Sequence, residues 1–217
     1  APDTLLQVKK AIEKGRVRPK IDPIVYEMLN QVGRHKKGLI GAVLRSKALV
    51  RWLVKPKLMK RGPTRAMITN TVHMTGTGGG GQPNVVPSEA WVQVDCRLLP
   101  GVTAEEHLAL LKPWTRKIEN IRMDVLHTFP ASQSPMDDSL YRALAHYAVE
   151  GRPQAVAVPA LSVGFTDSLF ARRRGVHAYG YVPFTVTVEE AQTMHGHNER
   201  VSVANIKDGL RVLFSVV

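Results

Sequence analysis

From Trp91 to Leu98 the chain alternates without a break: Val92, Val94, Cys96 and Leu98 take one set of positions, Gln93, Asp95 and Arg97 the other. Successive side chains of a strand point to opposite faces, so this run predicts a strand with one apolar face that something must cover. The neighbouring sequence supplies candidates. Before it, AMITNTVHMT (66–75) is rich in β-formers, and GTGGGGQPN reads as a long, flexible hairpin loop. After it, Thr103 with Glu106 three residues on has the form of a capping box, predicting a helix to about Ile118 with a kink at Pro113. IRMDVLH (121–127) then alternates again, with Ile121, Met123 and Val125 inward. At the start of the chain, Asp3 or Thr4 caps a predicted helix to about Lys14, with Leu5, Val8 and Ile12 on one face and Gly15 as its stop.

The order over residues 1–128 is therefore helix, insertion, strand, strand, helix, strand. One more strand before residue 1 would make it βαββαβ, a ferredoxin-like sandwich. Residues 129–217 differ in character. Asp137 or Asp138 caps a helix with Leu140, Leu144 and Tyr147 on one face and Gly151 at its end. QAVAVPALSVG and VHAYGYV read as strands buried on both faces, and Ser202 or Val203 opens a last helix. This part has the look of the tail of an α/β domain.

Charge is confined to one segment. Residues 1–66 hold 17 Lys/Arg against 4 Asp/Glu, while the other residues nearly balance. Within that basic part, at about 16–65, GLIGAVLRSKALVRWLVKPKLMKR reads as an amphipathic helix with Leu39, Val43, Val50 and Leu53 along one side. Such a segment suits an anionic membrane surface, which makes a non-catalytic dimerisation or membrane-binding module, working through residues 34–61, the alternative to an enzyme. Nucleic acid is not expected, since no module that reads it is visible. Cys96 is the single cysteine, so neither an intramolecular disulfide nor a thiol cluster can form within one chain.

Four motifs bear on chemistry. GTGGGGQPNVVP lacks the GK[ST] of a phosphate loop. Arg97 beside Asp95 is either a surface ion pair or a bidentate partner for a substrate carboxylate. GFTDSLF (164–170) is either a plain helix cap or an anion cradle of backbone donors and the Thr166 hydroxyl. MHGHNERVS (194–202) sets His195 and His197 two apart, followed by an acid. A catalytic zinc needs about three protein ligands, and no local cluster offers the others.

Taken in order, TNTVHMTGTGGGGQPNVVPSEAWVQVDCRLLPG, PALSVGFTDSLF and MHGHNERVSVANI resemble the two-zinc aminoacylase/carboxypeptidase family. Acetylornithine deacetylase, succinyl-diaminopimelate desuccinylase and glutamate carboxypeptidase belong to it, and the long insertion is most similar to the carboxypeptidase S branch. The resemblance implies an α/β protein with an α+β lid. A ferredoxin-like lid and dimerisation domain without its first strand (1–128) would precede the C-terminal part of a zinc-hydrolase catalytic domain (129–217). It implies a C-terminal fragment, inactive alone, whose general base, lid histidine and other zinc ligands lie upstream. His195 would be the last zinc ligand of a two-zinc site, and His197 occupies a variable position. Asn84, Arg97, Gly164 and Thr166 would bind substrate, with Phe165 where a small residue is usual. The substrate implied is an N-acyl amino acid or small peptide with a free carboxylate, and the assembly a homodimer through the lid.

Overall fold

The structure, a computed structural model, describes residues 2–82 and 84–217. It comprises two compact units, residues 1–132 with 160–165, and residues 133–159 with 166–217.

In the first unit, α1 (Pro2–Lys14) ends at Gly15 as its sequence predicts. A side chain at Gly15 would place its Cβ 2.3 Å from the Trp114 ring, so glycine is what lets that indole lie against the helix end. β1 (Thr71–Gly78) and β2 (Trp91–Arg97) pair antiparallel, Thr71 opposite Arg97 and Gly78 opposite Trp91, with a bulge between Met74 and Gly76. Thr75 is the extra residue of that bulge, which adds local twist. The Gly-rich loop between the strands includes Pro83, which lies outside the described residues. α7 (Ala104–Thr115) opens on the expected capping box: Thr103 Oγ1 accepts from Glu106 N at 3.1 Å, and Thr103 N donates to Glu106 Oε2 at 3.0 Å. It contains Pro113 and stops short of Ile118. α1 packs on β1 and on α7.

The predicted strand 121–127 does not form: among the described residues the sheet has two strands. Within the stretch Arg122 Nε donates to Asp124 Oδ2 at 2.8 Å, two residues on. Alternation sets the faces of a strand, but only a ladder partner makes one.

The basic segment is a small helical bundle rather than one long helix. α2 (Pro23–His35) begins where Asp22 Oδ1 accepts from Ile24 N at 2.9 Å, with Pro23 at the first position. α3 (Gly38–Arg45) turns back on it. A Cβ on Gly41 would fall 1.9 Å from the Lys36 carbonyl oxygen, so only glycine permits that turn. α4 (Lys47–Leu49), a π-helical turn (Val50–Val54) and α5 (Lys55–Leu58) come next, then α6 (Gly62–Ala66). Val25, Leu29, Val50 and Ile68 form the buried core, with Leu44, Val54, Leu58 and Leu161 packed around it. The expected stripe of Leu39, Val43, Val50 and Leu53 is broken, since Leu39 and Leu53 are exposed while Val50 is fully buried. Ser46 restarts the helix with its own side-chain cap, and the wider π turn shifts the angular phase of the residues beyond it.

In the second unit, Asp138 caps α8 (Ser139–Val149), and its chain leaves the helix through Gly151 at φ +70°. α9 (Ser168–Arg173) is short, and α10 (Val188–Gln192) opens on a capping box of Thr187 and Glu190. α11 (Val203–Val216) is capped by Ser202 and packs on α8. Asp208 of α11 pairs with Arg152 just beyond α8. The two apolar runs at 154–164 and 176–182 carry no ladder among the described residues, so the predicted strands are absent. Parallel strands exist only through non-local neighbours, and here the 176–179 backbone is held by side chains instead. Ser134 Oγ accepts from Ala178 N at 3.0 Å and donates to Ala178 O at 2.9 Å, and Arg172 Nε donates to both oxygens at 3.0 Å.

Candidate functional site

Arg97 ends β2 on its exposed face. Its backbone N–H donates to Thr71 Oγ1 at 3.3 Å, and its Nε donates to Asp95 Oδ2 at 2.7 Å. Residues two apart on a strand share a face, so the pair arises from the alternation itself. The bond to Nε orients the guanidinium, and its Nη groups make no bond to a described residue. That end of the fork has the geometry to meet a carboxylate.

Two residues further on, Leu99 N donates to Asn70 Oδ1 at 2.8 Å, and the Asn70 amide nitrogen lies 3.3 Å from His107 Nδ1. With Oδ1 committed to Leu99, the amide donates to Nδ1, so the ring proton sits on Nε2. His107 is 4% exposed, and its Nε2 has no partner among the described residues. Burial holds its pKa below the ordinary histidine value. This Asn70–His107 clamp fixes the exit of β2 and thus the root of Arg97. By sequence His107 is one of several scattered core or surface histidines; in the fold it is a core one. No local signal announces Asn70.

Cys96, half-buried beside Arg97, has its thiol pushed up to about 11 by burial and then by the Asp95 charge, so it is not a nucleophile at neutral pH. Asn84 is exposed in the Gly-rich loop, and Gly164 is exposed with its carbonyl accepting from Ser162 Oγ at 3.0 Å. Among the described residues no hydrogen bond joins Asn84, Arg97 and Gly164 to one another. Phe165 packs against the Phe129 ring at 4.9 Å between centroids.

In the second unit Thr166 is exposed, and its carbonyl accepts from Leu169 N at 3.3 Å. Asp167 precedes α9 without a side-chain cap bond, so the plain-cap reading of GFTD does not hold there. His177, also an isolated histidine in the sequence, pairs through Nδ1 with Asp138 Oδ2 at 2.8 Å. The bond from His177 is the main reason the Asp138 carboxyl sits below its ordinary value.

The HGHNE stretch is a tight turn. His195 takes φ +60° and Asn198 φ +61°, and the His195 N–H donates to Glu199 Oε2 at 3.0 Å. A left-handed backbone is uncommon outside glycine and is kept only where surrounding contacts impose it. Both imidazoles, His195 and His197, are exposed. Zinc, implied by the family resemblance, is offered an exposed imidazole on a constrained backbone here. No group of three or more His, Cys, Asp or Glu that could hold a metal occurs among the described residues. The donors present do not make a zinc site by themselves, and no reaction step is routed through one.

Comparison with known proteins gives a consistent pattern. The peptidase dimerisation domain M20_dimer matches residues 24–120. N-fatty-acyl-amino acid synthase/hydrolase PM20D1 of Homo sapiens is 30% identical over 174 residues, covering 76% of this chain and 34% of the human protein. A Dictyostelium discoideum protein named "Probable carboxypeptidase S-like 2" is 23% identical over 164 residues, 72% of this chain and 31% of that protein. Among solved structures, an M20 family metallo-carboxypeptidase from Sulfolobus solfataricus aligns with a TM-score of 0.52 at 17% identity, over 99% of this chain and 50% of that one. That likeness bears on fold alone. The chain spans about a third of the length of the curated relatives it matches.

Proposed function

The chain belongs to the M20 peptidase family, and on that footing we propose that it is the C-terminal portion of a zinc-dependent amidohydrolase. Its substrates are N-acyl amino acids or small peptides with a free carboxylate. Metallopeptidases of this family are generally zinc-dependent. Residues 1–128 form the lid, through which a homodimer assembles, and 129–217 the closing part of the catalytic domain. The observation that carries the reading is the HGHNE turn. Its left-handed His195, tied at the backbone by Glu199, presents an exposed imidazole from a constrained turn, open to a metal. The name of the human relative favours a fatty acyl group among the possible acyl chains.

Within this reading the chain's own residues do two things. His195 supplies one ligand to a metal whose other ligands come from the upstream part of the longer protein. Arg97, braced by Asp95 and by the clamp at Leu99, binds the substrate carboxylate. Asn84, Gly164 and Thr166 complete the binding of substrate. The general base comes from upstream, so this chain alone is inactive.

The test uses the longer protein that this reading calls for, loaded with zinc and assayed for amine release from N-acetyl and N-oleoyl amino acids. His195→Ala is expected to lose zinc by elemental mass spectrometry and activity together. Arg97→Ala is expected to lower kcat/KM by on the order of 10- to 100-fold for a carboxylate substrate, the worth of a charged hydrogen bond. The matching amide analogue, which has no carboxylate, should lose far less. A zinc-loaded longer protein inert across the panel sinks the reading.

A further inference from the structure

From Met28 to Ser88 the chain carries eleven Lys/Arg and no Asp or Glu. Five of these sit on α3, α4, the π turn and α5, which pack in series; α3 packs on α2, and Val50, Val54 and Leu58 join the core that Val25 and Leu29 of α2 form. Large apolar side chains stand out among these cations: Leu39 is 81% exposed, Ile40 67% and Trp52 80%, with Leu53 half-exposed. Lys36 and Lys37 stand just before Leu39, and Arg51 just before Trp52.

Three occupants can be weighed. A second copy meeting this segment with its own would bring like charges face to face, with no acid between 28 and 88 to relieve them. Nucleic acid would engage the cations but leave Leu39 and Ile40 with nothing apolar to bury against. An anionic bilayer surface meets both demands at once. Its headgroups attract Lys and Arg, its acyl boundary takes aliphatic side chains, and tryptophan favours the interface between the two. No described helix is long and apolar enough to cross a membrane, and a segment lying in the interface needs no such length.

We propose that residues 34–61 dock this protein on an anionic phospholipid surface, with Leu39, Ile40, Trp52 and Leu53 entering the acyl boundary and the flanking cations meeting the headgroups. The proposal stands apart from the hydrolase reading, because vesicle binding is measured without substrate or zinc.

The experiment is co-sedimentation of the protein with phosphatidylcholine vesicles, with and without phosphatidylserine, at low and at high salt. Binding is expected to favour the anionic vesicles by at least about 10-fold and to weaken with salt. Each cation removed, as in Lys36→Gln with Lys37→Gln, should weaken it roughly fivefold. Leu39→Glu with Trp52→Glu should abolish it while the circular dichroism spectrum stays unchanged. A second readout guards against misfolding of that variant. In the parent, lipid-induced blue shift and quenching by brominated lipid are expected, and both should disappear in Trp52→Phe, which keeps an apolar ring. Equal binding to neutral and anionic vesicles, or none at low salt, overturns the proposal. So does tighter binding to a single-stranded oligonucleotide, or a glutamate variant that changes only the oligomeric state.

Discussion

His107 and His195 lie in regions that use an imidazole in opposite ways. His107 sits in the regular backbone of α7, buried, and its contacts run inward through Asn70 to the exit of β2. His195 is exposed, and the abnormality is in its backbone, held left-handed while Glu199 takes its N–H. The first region shapes the chain for the chain's own sake and gains stability from doing so. The second holds a conformation that costs about 1–2 kcal/mol for an L-residue, set against a single exposed hydrogen bond from its N–H to Glu199. Scaffold and presentation are thereby separable by experiment: changes at the clamp should move stability, and changes at the turn should move function.

The largest effect expected is from Asn70→Ala. It leaves Leu99 N and His107 Nδ1 without partners in a mostly buried place. Two such groups at roughly 1–3 kcal/mol each predict a loss of about 2–6 kcal/mol, read by urea unfolding. If the variant unfolds with the parent's midpoint, the clamp holds nothing and the contrast with the turn is lost.

A smaller effect tests the protonation state inferred at His107. Burial lowers its pKa in the folded state, below the ordinary histidine value of 6.5. The unfolded chain then binds the proton more readily, so stability is fully present above the unfolded pKa and falls as pH drops through 6.5 toward the folded value. Subtracting the pH profile of His107→Gln from that of the parent isolates this contribution from the other histidines. Asn70→Asp sharpens the point, since a carboxylate can accept from both Leu99 N and a protonated Nδ1. Its folded pKa for His107 should rise above the unfolded one. Stability is then gained below the unfolded pKa and lost as pH climbs through the folded one. A slope of unchanged sign in that variant would mean that the side chain at position 70 does not meet the ring.

The same contrast explains what could be read from the sequence. Thr103 with Glu106, Asp138 and Ser202 announced three helix starts because a cap involves a side chain and an N–H two or three residues away. Thr187 with Glu190 carries the same signature, and Asp22 before Pro23 is a start signal as well. Both helices were legible, but a short segment and a basic, Pro-rich context hid them. The strands divide differently. Val92, Val94 and Cys96 found β1 as a partner, whereas Ile121, Met123 and Val125 have the same alternation and no ladder. Period fixes faces, and pairing is non-local. Arg97 and His195 could be singled out as candidates because each stands in an ordered motif. The clamp beneath Arg97 could not, because Asn70 and His107 are far apart in sequence and neither stands in a motif.

The smallest effect bears most directly on the second region. His195→Gly removes the left-handed strain of about 1–2 kcal/mol, and the added freedom of glycine in the unfolded chain returns about 0.5–1 kcal/mol of that. A net gain of about 0.5 kcal/mol is expected, with zinc retention and amidase activity lost in the longer protein. His195→Ala keeps the strain and should show the functional loss without the gain. Glycine that gains stability and loses zinc would establish that the turn is held against its own preference to present the imidazole. If glycine destabilises as much as alanine, the imidazole itself packs in the fold, and His195 belongs with His107 as scaffold.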